Sequence, residues 1–359
     1  MLIWVYEIEH KVISGGMNMK TNMKKWMFDI INSTERYALP VMTYPGLKMT
    51  GRSINEVITN GVYQYECIGA LSKEYDSLAN VTIMDLSVEA EAFGSPIKYS
   101  DNEVPAVSAK IVEDEESIKA LRVPKVGEAR TSVYIKAAEL ASKNIKGKPT
   151  LGGEIGPFSL AGRLFDMTEI MVGLMLEPET VHMLLEKCTQ FLIEYAKAFK
   201  EAGANGIIIA EPASGLLSPD NCTEFSSNYV KRIVDAVQDE YFMVILHNCG
   251  NTKNLVPSLL STGAAGLHFG NAVDMRDIMP QMPWGRLAFG NIDPAGTFKN
   301  GSVENMKEKT WELLENTANY KNFVLSSGCD VPPGTPTENV EAFYDTLSMF
   351  NRNVLKSVG

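Results

Sequence analysis

Short apolar runs alternate along this chain with longer stretches whose apolar positions recur at helical spacing. That rhythm predicts a parallel sheet wrapped by helices. Candidate strands lie at Leu39–Thr43, Val81–Met84, Thr150–Ile155, Gly206–Ala210, Met243–Leu246, Gly266–Phe269, Leu287–Phe289 and Phe323–Ser326. Eight runs match the strand count of an α/β barrel, and 359 residues suit such a barrel as one domain. Helices are expected at Pro178–Gly203 and Ser227–Asp239, among others. The first carries Pro in its opening turn, acids early, Lys late and Gly203 just past its end. Residues 96–147 break the rhythm. They hold an acidic patch, Glu113-Asp-Glu-Glu116, and several Pro/Gly turns, and read as an elaborated loop and helix after the second strand, lying over one end of the barrel. The expected fold is α/β, a (β/α)8 TIM barrel over residues 24–359 with a helical extension at its N-terminus.

Residues 1–23 are treated apart as an extension. Met1-Leu-Ile-Trp-Val-Tyr6 is too short for the apolar core of a signal peptide, and Glu7, Glu9 and His10 follow at once. Met17, Met19 and Met23 are alternative starts, so the extension is expected to be a start-site artefact carrying no function.

Composition narrows the partners. A net charge of −11 and a pI near 5.0, without any cluster of Lys and Arg, argue against a nucleic-acid surface. No apolar run is long enough to span a membrane. Five cysteines without a regular framework suggest a reducing compartment, hence a cytoplasmic protein.

The chemistry collects just after the runs. Tyr44-Pro-Gly46 follows the first, Asp85 the second, Glu154 closes the third and Glu211 follows the fourth. His247-Asn-Cys249 follows the fifth, Asn271 and Asp274 the sixth, Asn291-Ile-Asp-Pro294 the seventh and Cys329-Asp330 the eighth. An α/β barrel builds its active site at the carboxyl ends of its strands. Residues two apart on a strand point the same way, so His247 and Cys249 can reach one ion, with Cys329 arriving from the eighth run. An imidazole and two thiolates suit zinc and leave one tetrahedral position open. The opposing interpretation, two buried cysteines acting as small hydrophobes, is countered by the glycines and polar residues beside them. Cys67, Cys188 and Cys222, each in or beside a helical pattern, read as structural. His182 reads as a helix-surface residue and His268 as a packed, barrel-lining one. Glu154 or Glu211 could occupy the open metal position, or could instead hold loop geometry or orient His247.

With these motifs in view, the chain resembles the uroporphyrinogen decarboxylase superfamily over roughly residues 24–355, and within it the corrinoid-dependent methyltransferase branch. The matching stretches are Met84-Asp-Leu-Ser-Val-Glu-Ala-Glu-Ala-Phe-Gly94, Ile155-Gly-Pro-Phe-Ser-Leu160, His247-Asn-Cys-Gly250, Gly290-Asn-Ile-Asp-Pro294 and Gly328-Cys-Asp-Val-Pro-Pro-Gly-Thr-Pro336. The resemblance implies a His-x-Cys…Cys zinc site on His247, Cys249 and Cys329, and a methylcobamide delivered by a separate corrinoid carrier protein. None of the four histidines has the Asp-x-His-x-x-Gly setting of a corrinoid-binding chain. Departures from the decarboxylases point the same way. The segment Met42–Gly51 has Lys48 but none of the arginines that hold a polycarboxylate tetrapyrrole, Arg163 stands where a substrate tyrosine is expected, and Cys329 stands for a histidine. Asp85 matches the decarboxylases' pyrrole-binding aspartate, read here as shared ancestry.

The expected activity is therefore zinc-dependent methyl transfer between a corrinoid and a thiol such as coenzyme M, or a folate acceptor. Asp85, Glu154 and Glu211 are the candidate catalytic carboxyls, and Tyr44, Arg163 and Asn291 the candidate substrate contacts. A lyase acting on a tetrapyrrole and a non-catalytic corrinoid- or zinc-binding protein stand as alternatives, and a homodimer is left open.

Overall fold

The computed structural model describes residues 21–101 and 103–358. Most of the extension expected over residues 1–23 lies outside the described residues. Seven parallel strands form one curled sheet in the order β1 (Asn80–Val81), β4 (Thr150–Ile155), β5 (Gly206–Ala210), β6 (Met243–Asn248), β7 (Gly266–Phe269), β8 (Leu287–Ile292) and β9 (Phe323–Ser327). The remaining two strands, β2 (Ile97–Lys98) and β3 (Ala106–Val107), pair antiparallel outside it. Helices such as Pro178–Glu201 and Asn228–Val237 return the chain between strands. Every residue of β4 to β7 is buried, as expected of strands covered on both faces.

The first expected strand is the exception. Leu39–Thr43 is not a strand; a single parallel bridge joins Ala38 to Leu325 of β9. Pro40 explains the loss, because it has no N–H to give a ladder. The segment nevertheless closes the barrel by other means. Leu39 N donates to Leu325 O at 2.9 Å and Leu78 N to Ala38 O at 2.9 Å, so its two sides reach β9 and the approach to β1. Hydroxyls complete the seam: Val41 N donates to Ser327 Oγ at 3.1 Å, and Thr43 Oγ1 donates to Val81 O at 2.8 Å.

Inside the barrel, Leu39, Val41, Val81, Leu151, Ile208, Ile245, Leu287, Phe289 and Val324 pack with Met23, Ile30 and Ile31 of the helix Met23–Asn32. That helix closes the amino end of the barrel, so the opposite, carboxyl end is the open one. The long insertion carries the β2–β3 hairpin and the helices Glu115–Ala120 and Thr131–Asn144. The second of these lies so close to the helix Gly61–Glu74 that a Cβ on Gly61 would sit 2.5 Å from Val133 O. Among the described residues no helix is long and apolar enough to cross a membrane.

Candidate functional site

His247 sits near the end of β6, directly paired with Ala210 on one side and His268 of β7 on the other. Asn248 points the opposite way. Its amide donates to Glu211 O at 2.6 Å and Ser214 Oγ at 2.8 Å, while its Oδ1 accepts from Gly250 N at 2.8 Å. With Asn248 anchored outward, strand alternation turns His247 and Cys249 inward together. Gly270 makes room for the turn, since a Cβ there would lie 2.4 Å from Cys249 Cα. Across the mouth, Gly328 N donates to Ile292 O at 2.6 Å and Val331 N to Val41 O at 2.9 Å, fixing Cys329 between them.

These constraints bring His247, Cys249 and Cys329 together, with one ligand atom of each within 4.8 Å of the others. Both cysteines are free and half-buried. His247 Nε2 is buried and has no hydrogen-bond partner, whereas its Nδ1 lies 2.7 Å from His268 Nδ1. Cys249 is pushed well below an ordinary thiol by the Cys329 thiol and the His247 ring, and Cys329 is pushed up by sharing a proton with an already ionised partner and by burial. An orphaned imidazole nitrogen beside a ready thiolate and a second thiol is a donor set that fits zinc. Glu154 and Glu211 are not part of the cluster.

The carboxyl groups of the mouth divide into satisfied and unsatisfied ones. Asp85 is satisfied. Its Oδ1 accepts from Ser87 N at 3.0 Å and Ser87 Oγ at 2.6 Å, and its Oδ2 from Tyr134 at 2.7 Å and from Arg130. Arg130, just before the helix Thr131–Asn144, also donates to Glu91 at 2.6 Å and Ser87 Oγ at 2.8 Å. Burial alone would lower its pKa, but Asp85, Tyr134 and Glu91 outweigh that and raise it. Glu211 is satisfied too: it accepts from Phe158 N at 2.7 Å, Ser159 N at 2.8 Å and Ser226 Oγ at 3.0 Å. It thereby caps the helix Pro157–Phe165 through the first free amides.

Glu154 is different. It is fully buried at the end of β4 and both its oxygens lack partners; burial and then Glu89 hold its pKa well above the carboxylate range. Glu89 accepts from Ile155 N at 2.9 Å through one oxygen, leaves the other orphaned, and is raised by burial to about 7. Arg163 feels Glu89 and Asp85 but makes no side-chain hydrogen bond or ion pair among the described residues. Tyr44 is buried with its hydroxyl unpartnered, and Asp330, next to Cys329, is half-buried with both carboxyl oxygens shielded and unpartnered. Asn291 donates to Gly270 O at 2.9 Å and Val273 O at 2.7 Å, holding the loop that makes room for Cys249.

Two participants were not legible as such. Arg130 lies in the insertion, where no strand-end pattern marks it. His268, expected as a packed histidine, is buried but bonded to His247; the signal was its place at the end of the adjoining parallel strand. His182 is half-buried rather than on the surface, stacked on Phe225 at 4.6 Å and 2.8 Å from the Tyr229 hydroxyl.

Comparison with known proteins bears on the family and the fold. The family model described as uroporphyrinogen decarboxylase (URO-D) matches residues 44–350. The methylcobamide:CoM methyltransferase MtbA of Methanosarcina acetivorans is 31% identical over 274 residues, 73% of this chain and 76% of that protein. A uroporphyrinogen decarboxylase of Prochlorococcus marinus is 30% identical, but over 47% of this chain and 48% of its own length. Among solved structures, a methyltransferase from Methanosarcina mazei covers 92% of this chain and 99% of its own, with a TM-score of 0.82 at 23% identity, which supports the barrel fold. The share of the chain that these matches span is enough to conclude that it belongs to the uroporphyrinogen decarboxylase family.

Proposed function

We propose that this protein is a methyltransferase that moves a methyl group between a corrinoid and a small thiol such as coenzyme M. The observation that carries the reading is the convergence of His247, Cys249 and Cys329 with the imidazole Nε2 left orphaned. Zinc held by these three side chains would leave one tetrahedral position for an incoming thiol and lower its pKa. The relatives named methylcobamide:CoM methyltransferases support the same donor and acceptor.

In the forward direction the acceptor sulfur loses its proton and takes the methyl group, while cobalt keeps the electron pair of the broken bond. The chain's own residues hold the acceptor in line with that bond. Glu154, with two unpartnered oxygens, and Arg163, with none of its donors engaged, are the groups free to bind a polar tail. Tyr44 offers its hydroxyl and ring as a wall. Asp85, Glu211 and Asn291 act by holding the mouth in shape, since their polar atoms are already bonded within the chain. The corrinoid is supplied by a separate carrier protein that docks on the open end. Tetrapyrrole decarboxylation draws no support from the mouth: both oxygens of the aspartate that would bind pyrroles are occupied.

Metal analysis of the purified protein, followed by demethylation of methylcobalamin monitored by absorbance with a panel of thiols and folate, tests the proposal. Stoichiometric zinc with thiol-dependent turnover is expected. Zinc without turnover on any acceptor would favour a binding protein instead.

A further inference from the structure

A run of hydrogen bonds leaves the candidate metal site and crosses the barrel interior. His247 Nδ1 meets His268 Nδ1 at 2.7 Å, His268 Nε2 meets Ser326 Oγ at 2.8 Å, and Ser326 Oγ meets Leu39 O at 2.7 Å. The three side chains are buried, with exposures of 3%, 2% and 0%. Ring nitrogens and a hydroxyl can each face either way, so the pairs alone leave the protons undetermined. The far end determines them.

Leu39 O is a carbonyl and can only accept, so the Ser326 hydroxyl must donate to it. With its hydrogen committed, Ser326 Oγ accepts from His268, which places a proton on His268 Nε2. A metal bound through His247 Nε2 leaves the ring's one proton on Nδ1, whose hydrogen-bond partner is His268 Nδ1. His268 Nδ1 is then a bare lone pair, and it accepts from His247 Nδ1–H. One nitrogen remains. His247 Nε2 has no partner within the chain and lies with the thiols of Cys249 and Cys329.

We infer that His268 and Ser326 are positioning residues that lock His247 in the tautomer able to bind a metal through Nε2, the carbonyl of Leu39 setting the direction of the whole run. The register explains how a second histidine came to serve. His247 and His268 are direct neighbours on parallel strands, so their side chains share one face of the sheet. Metal-bound histidines commonly give their second N–H to a carboxylate or a backbone carbonyl. Here a neutral imidazole takes that place and passes the demand to a carbonyl on the far side. No charge is added to the barrel interior beneath the two thiolates. The inference rests on zinc binding at this trio, while the proton position on His268, set by the Leu39 carbonyl, is tested apart from it.

The test uses the full chain with ¹⁵N-labelled histidine. In the zinc-loaded protein, His247 is expected to show a protonated-type Nδ1 and a metal-bound Nε2, and His268 a protonated-type Nε2 and a lone-pair-type Nδ1. Ser326→Ala should populate the opposite His268 tautomer. His268→Asn, whose amide oxygen can only accept near the position of Nδ1, should keep the His247 Nδ1 proton hydrogen-bonded. His268→Leu, which fills similar space without an acceptor, should lose that hydrogen bond. Zinc affinity measured against a chelator should fall about 10–100-fold in His268→Leu and recover in His268→Asn. A wild-type His268 protonated at Nδ1 overturns the inference, as do equal zinc affinities for the Leu and Asn variants. If the wild type binds no zinc while His268 is protonated at Nε2 as stated, the metal assignment fails and the positioning run survives.

Discussion

The two sides of the barrel mouth use buried polar groups in opposite ways. On the β6 and β9 side, His247, Cys249 and Cys329 turn their ligand atoms toward one another and the imidazole Nε2 has no partner within the chain. On the β1, β4 and β5 side, Asp85 and Glu211 are saturated by Arg130, Tyr134, Ser87 and backbone amides. The first side is assembled for something that comes from outside. The second is mainly assembled for itself, with Glu154, Glu89 and Arg163 as the groups it leaves open. Residue type alone does not separate the two, because a buried acid and a buried thiol are equally suggestive in a sequence. What separates them is whether the chain has already met their hydrogen-bonding capacity.

The largest effect should come from the unsatisfied side. His247→Ala or Cys329→Ala is expected to remove stoichiometric zinc and to reduce methyl transfer to background in a protein that still folds. Metal analysis alongside a denaturant melt checks this; zinc retained at full stoichiometry in either variant would show that the trio is not the ligand set.

The saturated side should respond the other way. Arg130→Ala strands Asp85 as a buried, unpaired charge, and breaking such a pair costs about 3–5 kcal/mol. Urea titration should register that loss while the folded fraction still binds zinc. A variant as stable as the parent would mean the pair is dispensable to the mouth.

Glu89 gives a pH dependence. Burial raises it from 4.5 to about 7, so the folded protein keeps a proton that the unfolded chain gives up. Stability attributable to this group is therefore complete below about pH 4.5 and declines as pH rises toward 7, by on the order of 3 kcal/mol. Glu89→Gln should flatten that decline in denaturation midpoints measured across the window. An unchanged slope would place the titration elsewhere.

The smallest effect belongs to Arg163. Arg163→Gln is expected to raise KM about tenfold for a thiol bearing a sulfonate, the loss of roughly one charge-assisted hydrogen bond, and to leave KM for an uncharged thiol alone. Equal shifts for both thiols would remove Arg163 from acceptor recognition.

Legibility in the sequence followed the range of the physics. Cys249 was readable from His247 because strand alternation is local, and Cys329 because it follows another apolar run. The barrel was readable from the alternation of runs and helical stretches. Leu39–Thr43 was misread because its apolar residues outweighed Pro40, although Pro inside such a run is the signal against a ladder. Arg130 was invisible because nothing periodic ties it to Asp85, 45 residues earlier. His268 needed the register between two parallel strands, and its link to Ser326 spans 58 residues. The orphaned state of Glu154, set against the satisfied state of Glu211, depends on what surrounds each carboxyl. That is a property of the finished fold.

The seam at Pro40 bears on the order in which the chain folds. It joins residues 286 and 287 positions apart, Val41 to Ser327 and Leu39 to Ser326, and contacts of such separation carry a large loop-closure cost and form late. Cys329 and the carbonyl that directs the histidine run both lie at that seam. An open barrel, even one with β6 and β7 in place, would hold only two of the three ligands and an imidazole free to choose either proton position. Zinc captured with full affinity would then report that the last closure has been made, and a nascent chain would gain its metal site only when its two ends have met.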